Sequence, residues 1–515
     1  MEGEDVRPRE GRASNEDLKE FFIQFDVESA LRTITMASHW LTIQRKQFDI
    51  EFGVPATSWA LAYLAKLTLF HSKCKRGGTR FQIDDLRKAL ELYEGLPEPI
   101  EFTTPKLDPI APERTFLRLA NLQFPFMENS FLSVARMAIL LMETSLRTKR
   151  GPSIDVNARL AEIHGMTTES IIRTGVLVCA AAERSKPFAP VMSLESLSRS
   201  DIPSVQAELQ LDNLLKFAGE FGNTVEGFRS GYQDRNFDSP YTKYAFNELQ
   251  SHPLISFGDN MVCLPCHPYL LQRISTGLYF SLSDSTNLGG KSNSFREKFG
   301  FIFEEYVGEQ LRAHVRGFDI CPEFFFDSGR RSPDWILVKG SDAVLIECKS
   351  SQLSVGAKMY FDDKFLEIEG SRLYTRGVQQ VARFVEYVEK NPSEIAELAG
   401  VNRFFGLVVT YVPLYLANGL YSSLFGAQTG PLPATLSDIQ FLSISELEDL
   451  LGLTDRYDLI GILARRAAMT ESPSEFRQFM RDEIGTSRDN ALLTRKAEEL
   501  FGWTAPRRSW LVARK

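Results

Sequence analysis

The chain of 515 residues is 43% hydrophobic and 24% charged, with a formal net charge of −8; it is too long for one hydrophobic core, so about two to four domains are expected. The acidic balance excludes a surface that adheres to nucleic acid everywhere and leaves room only for a local positive groove. Six scattered cysteines exclude a disulfide framework, and a polar start without any apolar run of spanning length leads to the expectation of no signal peptide, no membrane contact and a cytoplasmic location.

In chain order, residues 1–15 are rich in Glu, Arg and Gly and are expected to be disordered. Residues 16–203 carry amphipathic stretches at 54–71, 84–93, 133–146 and 157–164, which predict an α-helical domain. A stripe such as Leu61, Leu64, Leu67 and Phe70 reads as core. The basic run from His71 through Lys73, Lys75, Arg76 and Arg80 joins two helices and is a candidate nucleic-acid contact. Residues 204–291 read as a mixed linking region, helical at 207–221, strand-like at 254–265 and helical again at 269–280.

Within that region, Cys263-Leu264-Pro265-Cys266-His267 has the spacing of a haem attachment site, and zinc held with His252 is conceivable by ligand type. No second cysteine pair completes a zinc ribbon, so the segment is read as a buried strand and turn. Asn287-Leu288-Gly289-Gly290-Lys291 lacks the rest of a phosphate-binding loop and reads as a hinge.

The strongest signal follows. Ser332–Lys339 and 343–350 are short apolar runs around Gly340-Ser341-Asp342 and predict a β-hairpin. Glu347 and Lys349, two apart, project to one side of their strand while Cys348 points away. These charges directly follow Val344-Leu345-Ile346, in a strand expected to be buried on both faces, where unpaired charge is costly. A helix is expected from a capping box at Ser294-Phe295-Arg296-Glu297, with Phe299, Ile302, Phe303 and Tyr306 on its apolar side. By helical phase Glu304 lines up with Gly300, Val307 and Leu311, whereas Glu305 shares its side with Glu297, Lys298, Glu309 and Arg312.

Pro333-Asp334 through Glu347-Cys348-Lys349, the helix around Gly300-Phe301-Ile302-Phe303-Glu304-Glu305, and the later helix Gly377-Val378-Gln379-Gln380-Val381 together resemble the PD-(D/E)xK nuclease superfamily, the fold of many restriction endonucleases. The resemblance covers residues 292–415 and implies an α/β chain with a C-terminal restriction-endonuclease-like αβββαβ core after a large, mainly α-helical N-terminal region. It places Asp334 beside Glu347 and Lys349, and it implies metal ligation by Asp334, Glu347 and the carbonyl of Cys348. Mg²⁺, or Mn²⁺, suits two carboxylates, since it keeps several waters and makes one of them more acidic. Lys349, beside a dication and desolvated, would orient or deprotonate the attacking water. Glu304 and Gln380 are the candidate helix residues, Gln380 rather than Gln379 because Phe384 follows it one turn later.

Residues 416–515 are expected to form an α/β and then helical extension, with a strand at 438–444, a helix capped by Ser445 and Glu448, and a basic end at Arg507, Arg508, Arg514 and Lys515. Arg330, Arg331, Lys358, Lys364, Arg372 and Arg376 flank the motif and are further candidate contacts. The expected function is Mg²⁺-dependent endonucleolytic cleavage of DNA by a homodimer or higher even-numbered oligomer, with a possible role in anti-phage defence by analogy of architecture. The helical region is the place for a protein partner. The alternatives are an RNase on the same fold and a catalytically silent interaction module.

Overall fold

The computed structural model describes residues 13–43, 53, 55–73, 78–97, 111–128, 130–184, 190–200, 203–231, 242–285, 294–354, 358, 366–421, 429–469, 475–485 and 490–502. By its contacts the chain divides into two units: Met1–Ala138 with Val156–Ser285 and Leu500–Lys515, and Ile139–Asp155 with Thr286–Glu499. Among the described residues no helix is long and apolar enough to cross a membrane.

The first unit is mainly helical. Ser58–His71, capped by the Thr57 side chain, is buried nearly all round from Ala60 to Leu69, as an apolar helix at the centre of a bundle must be. Its one interior cation, Lys66, donates to the Phe246 carbonyl at 2.8 Å. The expectation of disorder to residue 15 fails at its end: Ser14 and Asp17 form a capping box that starts the helix Asn15–Ile23, and Ala13 is buried. The unit is also less purely helical than its periodicity suggested. Val191–Ser193, Met261–Cys263, Leu254–Ser256 and Gly222–Thr224 form a four-stranded sheet in that order. Leu254–Ser256 and Met261–Cys263 fall within the stretch 254–265 read as strand-like; Val191–Ser193 and Gly222–Thr224 were not expected, since strands of three residues hold too few alternations to stand out in sequence. The region 204–291, read as a linker, closes into this same unit up to Ser285.

Five strands of the second unit form one sheet. Its elements are α1 (Ser294–His314), β1 (Asp319–Pro322), β2 (Trp335–Lys339), β3 (Asp342–Lys349), α2 (Ser371–Lys390), β4 (Arg403–Thr410), β5 (Leu436–Ser443) and α3 (Ile444–Leu451). The strand order is β5-β4-β3-β2-β1; β3 is antiparallel to β2 and parallel to β4. The hairpin turn is tighter than expected, because Asp342 already pairs with Lys339. Gly340 accordingly takes φ +60°, a conformation only glycine adopts without cost.

Strand alternation sorts the sheet's residues. Ile336, Val338, Ala343 and Leu345 pack with Val381, Phe384 and Val385 of α2, while Leu337, Val344 and Ile346 are buried on the opposite face. Burying each large apolar side chain contributes roughly 1.5–3 kcal/mol. A polar chain ties α1 to α3: Tyr306 Oη donates to Glu448 at 2.6 Å, Gln310 donates to Tyr306 Oη at 2.8 Å, and Asn490 donates to Gln310 at 2.8 Å. Glu448 is therefore a buried partner and not a cap. Ser443 and Glu446 form the capping box of α3, two residues before the expected position, because β5 runs straight into the helix. Ser294 is likewise already helical, so the cap of α1 falls outside the described residues.

Segment 139–155 belongs with this sheet and not with the helices that precede it. Thr144 and Arg147 hydrogen-bond Glu309 of α1 at 3.0 and 2.9 Å, and the buried Lys298 ammonium donates to the carbonyls of Thr148 and Arg150 at 2.6 and 3.0 Å.

Candidate active site

β3 is central and is covered on both faces, so the charges at its C-terminal end enter a desolvated edge. By strand parity Asp334, Glu347 and Lys349 lie on the face that carries α2, and Cys348 lies on the other. Asp334, just ahead of β2, accepts the Cys348 N–H at 2.6 Å. Lys349 Nζ donates to Glu347 Oε1 at 2.6 Å and to the Gln380 carbonyl oxygen. The sheet thus brings Asp334, Glu347, Lys349 and Gln380 together. Gln379 instead accepts from Arg383 at 3.3 Å. Phe384, the aromatic that helped to select Gln380, is a core residue: it packs edge-on against Phe324 and Phe326.

Glu304 reaches the group from α1. Its carbonyl accepts the Trp335 indole N–H at 2.9 Å, which pins α1 to the residue next to Asp334. The Glu304 side chain is 13% exposed and bonds to Arg150, whereas the Glu305 side chain is 38% exposed and pairs with Arg312 at 2.7 Å. Close approach of α1 to the sheet depends on Gly308, since a Cβ there would lie 2.1 Å from the Trp335 ring.

The electrostatics match this crowding. Burial raises Asp334 well above the usual carboxylate range, and the charges of Glu347 and Glu304 raise it further. Glu347 is raised by burial as well, against the pull of Lys349. Burial pushes Glu304 up to about 7, with Arg150 opposing. Among the described residues Glu347 Oε2 is buried with no hydrogen-bond partner. A desolvated carboxylate oxygen without a partner is costly, and a cation is the group that would satisfy it.

Asp334 and Glu347 therefore fit a hard divalent ion, which needs only one or two carboxylates when waters complete its shell. Lys349 O accepts from Tyr411 of the β4 side at 3.0 Å, so the backbone edge of Cys348, one residue back, faces Asp334. Among the described residues no group of three or more His, Cys, Asp and Glu is arranged to hold a metal ion. That includes Cys263, Cys266 and His267, which lie buried in the first unit; burial pushes both thiols up to about 12 and the imidazole down to about 3.

No family model matches the sequence, and no curated protein matches it. Among solved structures, the small subunit of the heterodimeric restriction endonuclease R.BspD6I is similar at 16% identity, over 38% of this chain and 88% of that one, with a TM-score of 0.21. A score of that size sets neither fold nor activity.

Two site neighbours were invisible in the sequence. Glu323 pairs with Arg150 at 2.8 Å and with Arg331 at 3.3 Å and acts electrostatically on both Glu304 and Glu347. Arg150 comes from a segment about 150 residues away in sequence, and separation of that kind leaves no local pattern. Of the flanking cations, Arg330 pairs with Asp327 at 3.2 Å, Arg372 and Arg376 are exposed on α2, and Lys364 lies outside the described residues. The basic run after His71 belongs to the first unit; its described ends are pinned to Phe25 and Asp26 by backbone bridges. Arg507, Arg508, Arg514 and Lys515 lie outside the described residues.

Proposed function

We propose that the chain is a metal-dependent nuclease of the restriction-endonuclease-like kind that hydrolyses phosphodiester bonds of DNA. One observation carries the reading: two desolvated carboxylates, Asp334 and Glu347, share an edge at adjacent strand ends, with a buried unpaired oxygen and an ammonium 2.6 Å away. Asp334 and Glu347, with the Cys348 carbonyl, would hold Mg²⁺ or Mn²⁺. Bound there, the ion supplies charge neutralisation at the phosphate and a more acidic water.

The protein's own groups do the rest. Lys349, held between Glu347 and Gln380, presents an ammonium to the scissile phosphate and orients the attacking water. Gln380 fixes the direction of that ammonium. Asp334, anchored by the Cys348 N–H, keeps one carboxylate oxygen for the site. Glu304 shapes the charge of the neighbouring rim. A role in anti-phage defence follows by analogy with nucleases joined to large helical regions.

The test is incubation of the full chain with matched linear duplex DNA, single-stranded DNA and RNA, in Mg²⁺ or EDTA. Cleavage of DNA that needs Mg²⁺ and disappears in Glu347→Gln is expected. Cleavage of RNA alone moves the reading to an RNase, and no cleavage of any substrate moves it to a silent interaction module.

A further inference from the structure

The hairpin that leads into Asp334 carries an aromatic ring that the core does not use. Phe325–Phe326 pairs with Arg330–Arg331, and the turn between them is made by Asp327, Ser328 and Gly329, with φ of +37°, +59° and +106°. Its inner side is fixed. Phe324 and Phe326 pack edge-on against Phe384, the Ser332 N–H donates to the Phe324 carbonyl at 2.9 Å, and the Ser332 hydroxyl accepts the Phe324 N–H at 3.0 Å. Alternation therefore turns Phe325 outward, where it is 68% exposed.

One side of that ring is already backed by charge. The Arg331 guanidinium lies 5.5 Å from the ring centroid, and Arg331 is itself held by Glu323 at 3.3 Å. Glu323 bonds Arg150 at 2.8 Å, and Arg150, on the arm 139–155, bonds Glu304. An unbroken row of ion pairs thus runs from the rim of the site to the ring. Arg331 is three residues ahead of Asp334, at most about 11 Å of chain, so the ring stands beside the place where the scissile phosphate would lie.

The chemistry that fits this surface is that of a nucleobase. Every base has a flat π-face that an aromatic ring can cover, but inside a duplex both faces are already stacked on neighbouring bases. Only an unpaired base has a face to give. Arg330 and Arg331, with side chains 66% and 54% exposed, offer cations to the phosphates on either side of it.

We propose that Phe325, backed by Arg331, stacks on an unpaired base within a few nucleotides of the scissile phosphate, so that the site favours DNA with a single-stranded stretch beside the cut. This rests on the nuclease reading above.

The experiment is fluorescence anisotropy of the full chain, in EDTA so that nothing is cut, with a labelled forked duplex bearing single-stranded arms and with the fully paired duplex of the same length. The natural protein is expected to bind the fork about fivefold or more tightly than the paired duplex. Phe325→Ala is expected to bind both alike, and Phe325→Trp to keep the preference. Equal affinity of the natural protein for the two DNAs overturns the proposal, as does a preference that survives Phe325→Ala or binding of neither DNA. Failure of the underlying reading looks different: the Phe325-dependent preference would persist, while Mg²⁺ would bring cleavage of no substrate.

Discussion

Glu347 gives up hydration on entering the sheet and, among the described residues, recovers only Lys349 and Gln380, which leaves one buried oxygen unsatisfied. The site is therefore built at a cost to stability, and pH exposes that cost. Asp334 and Glu347 both titrate above their unfolded values. For such groups stability is fully present below the unfolded pKa and is lost as pH rises through the folded one. Asp334→Asn and Glu347→Gln should each melt at a higher temperature than the natural protein in EDTA at pH 8, with the gain vanishing near pH 4. Mg²⁺ at about a hundred times its Kd should stabilise the natural protein by roughly 2.7 kcal/mol and leave Asp334→Asn unmoved. Equal melting of all three proteins across this range would contradict the electrostatic account. At the same scale, Glu304→Gln should reduce cleavage by about tenfold or more, roughly 1.4 kcal/mol of barrier, while Glu305→Gln changes it little, because Glu305 pairs outward with Arg312. Steady-state rates in the reverse order would refute that assignment.

Elements were legible where a short-range pattern sets them. The hairpin of β2 and β3 showed itself as apolar runs around a glycine turn, and the phase of α1 separated Glu304 from Glu305. Caps slipped by two residues at α3, since serines stand at both 443 and 445 and only the length of β5 decides between them. The strands Val191–Ser193 and Gly222–Thr224 of the first unit and the arm bearing Arg150 depend on distant partners and left no periodicity to read. Packing at Gly308 is a test of how α1 is placed: Gly308→Ala puts a Cβ 2.1 Å from the Trp335 ring, and overpacking of this kind costs about 1–3 kcal/mol. Denaturant melts should show that loss together with weaker activity, because Trp335 adjoins Asp334. Glu475 offers a second, independent element. Burial, with Glu446 adding to it, pushes its carboxyl up to about 7 as it accepts the Gly419 N–H at 3.2 Å. Stability contributed there is lost as pH rises from about 4.5 to 7, so Glu475→Gln should gain up to about 3 kcal/mol at pH 8. Identical pH–stability curves for the two proteins would show that the carboxyl stays ionised.

For the whole molecule, the division into units corrects the simplest way of cutting the chain. A fragment beginning near residue 292 omits the segment that supplies Thr144, Arg147 and Arg150 to Glu309 and Glu304, and it leaves the buried Lys298 ammonium without its two carbonyls. Such a fragment should be less stable than one that retains 139–155. One catalytic centre cuts one strand per encounter, so clean double-strand breaks imply two copies, and a symmetric dimer is the commonest arrangement. Light scattering on the protein with duplex DNA should report an even-numbered assembly; a monomer making clean breaks would point to sequential nicking. The most direct measurement of the central claim is cleavage of linear duplex DNA by the natural protein and by Asp334→Ala, matched for thermal melting, with and without Mg²⁺. The account expects Mg²⁺-dependent cleavage that falls to background in the variant, and cleavage by Asp334→Ala at the natural rate would contradict it.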